Sequence, residues 1–146
     1  MINNPITQLE QLTLTSASKS FLKETAKWAK FLAVLGFIFI GLMVVFAIFS
    51  TTIFDLASKM QEGVPANLGL IMTAVYLVLA FIYFFPVYYL LQFSNKMKKA
   101  LLSKDDEILA KAFQMLKSHY KFIGVFTIIT ISLYILLIVV SVLGAI

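Results

Sequence analysis

The chain has 146 residues, 61% of them hydrophobic and 13% charged, with a net charge of +5, no cysteine and one histidine, His119. A soluble domain averages about 45–50% apolar and about 25% charged residues, so this composition, with a mean hydropathy of +0.96, belongs to the membrane class. Disulfides, thiolate metal sites and a multi-histidine metal site within one chain are excluded, and no cofactor is expected.

Residues 1–15 (MINNPITQLEQLTLT) read as a flexible N-terminal tail, and 16–146 as a single membrane domain. Ser16 is the expected cap of the first helix. Lys19, Lys23, Lys27 and Lys30 fall on one face of that helix, and Leu22, Ala26, Ala29 and Ala33 on another. The second face continues through Gly36, Ile40, Met43, Ala47 and Ser50 as a seam of mostly small residues. Such a seam lets helix backbones approach closely where no hydrophobic force separates helix from lipid. Ala29, Ala33, Gly36 and Ala47 are therefore helix-packing candidates.

The first uncharged run spans about 31–54. A hydrocarbon core about 30 Å thick needs roughly 20 apolar residues in a helix. The run follows a long polar segment, exceeds the apolar core of a signal peptide and lacks a small-x-small cleavage site, so it is expected to stay in the membrane. A loop from Asp55 to Asn67 holds Lys59 alone among basic residues. The second run, about 68–91, carries Tyr76, Tyr83, Pro86, Tyr88 and Tyr89. Tyr88 and Tyr89 suit an interfacial aromatic belt. Pro86 removes a backbone donor and frees a carbonyl near residue 82, which a neighbouring hydroxyl is expected to satisfy.

A lysine-rich helical segment follows over about 95–121. It contains Lys96, Lys98, Lys99, Lys104, Lys111, Lys117 and Lys121. Ser103-Lys-Asp-Asp106 matches a capping box, and Asp105, Asp106 and Glu107 suit a helix N-terminus better than a cation site. The helix beginning near Lys104 has an expected apolar stripe of Leu109, Ala112, Phe113, Leu116, Tyr120 and Ile123, at three- and four-residue spacing. His119, between Lys117 and Lys121, reads as a surface residue. The third run, about 122–146, has a polar stripe of Thr127, Thr130, Tyr134 and Ser141. This stripe is expected to make helix–helix hydrogen bonds; its alternative role is to line a pore.

Positive residues favour the cytoplasmic side. The N-terminus and the lysine-rich segment are thus placed in the cytoplasm, and the C-terminus at the periplasmic face. Lys19, Lys23, Lys27, Lys30, Lys96, Lys98 and Lys99 are expected to meet membrane lipids, including anionic headgroups. The amphipathic parts either lie in the headgroup layer or extend the spans as helices, and the unbroken seams favour extension. Nucleic acid is not an expected partner, because no nucleic-acid-binding motif is present. The spans carry no Asp, Glu, Lys, Arg or His, which argues against proton relays and charge-coupled transport. No catalytic motif appears, so no enzyme is expected.

Three stretches, ETAKWAKFLAVLGFI at 24–38, YFFPVYYLLQFSNKMKKAL at 83–101 and AFQMLKSHYKFIGV at 112–125, resemble a family of small bacterial multi-span membrane proteins known only as a domain of unknown function. The resemblance covers roughly residues 20–140. It implies a Gram-negative source and the inner membrane, and brings no activity, ligand or catalytic residue. The expected protein is all-α, with three transmembrane helices and amphipathic helical extensions on the cytoplasmic side. Its expected role is non-enzymatic: assembly with itself, or as an accessory subunit of a larger membrane complex. The alternative is a homo-oligomeric pore or passive transporter lined by the polar stripe of the third span.

Overall fold

Hydrocarbon offers no water to a backbone N–H or C=O, so an apolar segment that crosses it must satisfy those groups within itself. The computed structural model describes residues 14–60, 63, 65 and 67–144, and these form three α-helices and no strand. They are α1 (Ser16–Met60), α2 (Leu68–Ser103) and α3 (Asp106–Gly144). Each is long and apolar enough to cross a membrane. The chain is an all-α membrane protein in which the apolar spans and the lysine-rich segments share continuous helices. At 1.5 Å per residue, the 45 residues of α1 reach roughly 68 Å, about twice the thickness of a bilayer core. Residues 1–13 of the expected tail, and Ile146, lie outside the described residues.

Three helix ends differ from expectation: the starts of α1 and α3 by one or two residues, and the end of α1 by six. Thr15, not Ser16, caps α1: its Oγ1 accepts the Ser18 N–H at 3.1 Å, and its carbonyl accepts the Lys19 N–H at 3.0 Å. Ser16 is already helical. α1 also runs past Phe54 to Met60, taking Asp55 and Lys59 into its last turns, where a lysine complements the helix dipole.

The lysine-rich segment is two helix ends joined by Lys104 and Asp105. Ser103 closes α2 and donates its hydroxyl back to Lys99 O at 2.9 Å, so it does not cap α3. Asp105 does, its Oδ1 accepting the Glu107 N–H at 2.9 Å and the Ile108 N–H at 3.1 Å. A carboxylate answers both the orphan donors and the dipole of a helix start. Lys104 makes the reversal in the left-handed conformation, at φ 54°, with its N–H on Ala100 O.

α2 is the central helix. α1 packs antiparallel on one flank and α3 on the other, and α1 and α3 make no backbone approach to each other. At the lysine-rich end all three meet around Ala26, Ala29, Phe93, Met97 and Ala112, with Leu109, Met115 and Leu116 against them. The alanines on α1 and α3 leave the space that Phe93 and Met97 of α2 fill. α3 then parts from α2. Every residue from 131 to 144 is exposed, and Ala112 is the sole described residue of α3 that is buried.

The inner face of α3 is displaced from the expected stripe. Leu109, Ala112 and Leu116 face inward, but Phe113, Tyr120 and Ile123 are exposed. The covered line runs through Ile108, Ala112, Met115, His119, Phe122 and Phe126. Both series have helical spacing; they differ by one residue in phase.

Candidate functional site between the second and third helices

Two interfaces hold α2, and they differ in how completely they close. Along α1 the seam closes through small residues. Ala29, Ala33 and Ala47 are buried there. A Cβ on Gly36 would lie 2.7 Å from Val87 Cγ2, and one on Gly69 only 2.8 Å from the Thr51 Cα. The second distance is backbone to backbone, so no side-chain rotation relieves it. Beside Gly69, the hydroxyls of Ser50 and Thr73 lie 2.6 Å apart. Thr73 Oγ1 is 3.0 Å from Ala47 O and 3.0 Å from Gly69 O, and Ser50 Oγ is 2.8 Å from Ala47 O. Each hydroxyl has one proton, so one donates to the other and the second donates to a carbonyl. At the lysine-rich end Ser94, fully buried, donates across the interface to Ala26 O at 2.6 Å.

The α2–α3 interface is aromatic and open. Phe85 stacks with Phe122 at 6.1 Å, and Tyr83 meets Phe126 edge-on at 5.8 Å. Just beyond, His119 Nδ1 lies 2.8 Å from the Pro86 carbonyl. A carbonyl only accepts, so Nδ1 carries the proton and Nε2 is the free nitrogen. His119 is thus half-buried and bonded across helices rather than a surface residue. The hydrogen bond near Pro86 falls on that proline's own carbonyl, from an imidazole, and not on the freed carbonyl near residue 82.

On each side of the Phe122–Phe126 ridge lies a groove. One, of about 500 Å³, runs from Tyr89, Ser118 and Lys121 to Val125 and Ile129. The other, of about 410 Å³, is bordered by Tyr83, Pro86, Thr127, Thr130 and Tyr134. Both volumes are in the range of small-molecule sites, about 300–1,000 Å³. The side chains gathered here supply apolar surface, hydroxyls, an imidazole and an ammonium. They suit binding a lipid chain or a neighbouring helix. Among the described residues no group of His, Asp or Glu is arranged to hold a metal ion.

The expected helix-packing residues divide. Ala29, Ala33, Gly36 and Ala47 lie in the α1–α2 interface, whereas Thr127, Tyr134 and Ser141 are exposed. Thr130 is half-buried and donates to Phe126 O of its own helix at 2.8 Å. Among the described residues this stripe makes no hydrogen bond to another helix. Of the lysines, Lys19, Lys23, Lys27, Lys30 and Lys99 are exposed, while Lys96 and Lys98 are half-buried. Lys111 is paired with Glu107 at 2.6 Å; the hydrogen bond and the charge of Glu107 hold its ammonium above the usual lysine range.

Ser94, Gly69, Thr73 and the His119–Pro86 bond were not legible as interface residues. One signal was available: Gly69, Thr73, Tyr76 and Ala80 repeat at four, three and four residues, the spacing of a face that matches the α1 seam. The chain matches no protein-family model, no curated protein and no solved structure.

Proposed function

We propose that this protein is a non-enzymatic subunit of a bacterial inner membrane that assembles through its third helix, with a second copy of itself or with a larger membrane complex. The observation that carries this reading is the free half of α3. Residues 131–144 are all exposed, and Thr127, Tyr134 and Ser141 align on one face of the helix. Hydroxyls in hydrocarbon gain from interhelical partners, by about 0.6–2 kcal/mol each, and Tyr134 is 64% exposed. A partner helix on that face supplies what α2 does not.

The cytoplasmic placement of the lysine-rich end rests on the positive-inside rule. The antiparallel order supports it, since the start of α1, the end of α2 and the start of α3 lie together. The inner-membrane assignment rests on the family resemblance.

The chain contains no cysteine, so single cysteines report directly. Tyr134→Cys should form a disulfide-linked dimer in native membranes on mild oxidation, while Leu136→Cys, on the opposite face of α3, should not. If neither position cross-links, and the protein purifies from native membranes as a monomer without a partner, the assembly reading is lost. Ion flux in liposomes carrying the cross-linked dimer would favour the pore over a purely structural assembly.

A further inference from the structure

The larger groove has a gradient of polarity along α3. Ser118, Lys121, Val125 and Ile129 follow one another at three- and four-residue spacing down one face of α3, with Tyr89 of α2 opposite the polar end. The face is charged or hydroxylic at the lysine-rich end and apolar below. We infer that this groove seats one phospholipid with an anionic headgroup, its phosphate on the Lys121 ammonium and the Tyr89 hydroxyl and one acyl chain against Phe122, Val125 and Ile129.

Four observations converge on that occupant. Lys121 adjoins the first residue of the third apolar run. A helical side chain leans toward its helix N-terminus, so the ammonium is directed to the headgroup level where Tyr88 and Tyr89 stand, and its stem lies along apolar surface. Among the described residues the sole ion pair is Lys111–Glu107, so Lys121 has charge to offer. Ser118 has donated its hydroxyl proton to Gln114 O at 3.0 Å, which leaves Lys121 and Tyr89 as the donors. Among the described residues no carboxylate lines the groove. A zwitterionic headgroup would bring an ammonium with no acid to meet it, whereas an anionic headgroup balances the lysine. The groove lies on the opposite face of α3 from Thr127 and Tyr134, so the lipid and an assembling helix do not compete. The inference needs the membrane fold but not the assembly reading.

The test uses the full-length protein in nanodiscs of phosphatidylglycerol and phosphatidylethanolamine, followed by native mass spectrometry of the lipids it retains after transfer to detergent. The wild type should keep one phosphatidylglycerol in preference to phosphatidylethanolamine. Lys121→Gln should lower that preference about fivefold, the scale of one basic residue at an anionic surface. Val125→Trp, which fills the apolar half, should reduce retention of both lipids. Lys27→Gln, an exposed lysine away from the groove, should behave as wild type. Equal retention by the Lys121 and Lys27 variants, no preference in the wild type, or displacement of the lipid by inorganic phosphate would each overturn the assignment. The same spectra report oligomeric state, so a monomer that retains the lipid would sink the assembly reading and leave this one standing.

Discussion

Gly69 is the glycine of the α1–α2 interface that faces backbone rather than a side chain, and Gly69→Ala tests how that interface is built. The added carbon would sit 2.8 Å from Thr51 Cα, 3.2 Å from Thr51 O and 3.3 Å from Ser50 O. Carbon atoms pack at about 3.5–4.0 Å, so the helices must part by roughly 0.7 Å or more, and a gap of 0.5–1 Å forfeits about a quarter to a half of each dispersion contact along the seam. Overpacking of this kind costs about 1–3 kcal/mol. The Ser50–Thr73 hydroxyl pair, beside Gly69, would stretch with it, at a further cost of about 0.6–1.7 kcal/mol. Alanine returns up to about 1 kcal/mol of helix propensity, so the net loss should be near 2 kcal/mol. The assay is reversible unfolding in mixed micelles, with two comparison variants. Gly41→Ala has nothing within 4 Å of the new carbon and should be neutral or slightly stabilising. Gly36→Ala meets only the Val87 side chain and should fall between, because a β-branched side chain in a helix has few other rotamers. If Gly69→Ala and Gly41→Ala unfold alike, backbone-to-backbone closure is not what joins these helices.

Asp105→Ala should cost about 1 kcal/mol as a lost N-cap, while Ser103→Ala should change stability by only a few tenths; the same unfolding assay compares them, and the reverse order would restore Ser103 as the cap. Ser94→Ala removes the bond to Ala26 O and should cost about 1 kcal/mol; a loss as large for Ser118→Ala, whose hydroxyl bonds only its own helix, would show that the crossing bond is not the cause. Cysteines at Ser58 and Ser103 test orientation: an impermeant maleimide on intact spheroplasts should label Ser58→Cys and spare Ser103→Cys, and the opposite pattern would invert the topology.

Quantities that accumulate along the chain were legible without a structure. The three helices, their approximate spans and the α1 seam follow from apolar length, small-residue spacing and the location of lysines, each of which sums over many residues and tolerates local error. The seam from Ala26 to Ser50 was readable because small residues stand out against Leu, Ile and Phe, and the same contrast on Gly69, Thr73 and Ala80 marks its partner face. α3 lacks that contrast. Apolar residues fall at both phases of its first half, so a stripe through Phe113 and Tyr120 and one through Met115 and His119 satisfy the same periodicity. Only the seating of Phe122 on Phe85 and the bond from His119 to Pro86 O select between them. The cap of α3 was read as Ser103, but Ser103 and Asp105 both offer a suitable oxygen, and the choice falls to Asp105 because Lys104 reverses the chain in a single left-handed residue. The exposure of 131–144 and the two grooves beside Phe122 and Phe126 depend on how the aromatics of α2 and α3 seat against one another. That is a property of the packed pair and is written in neither helix alone.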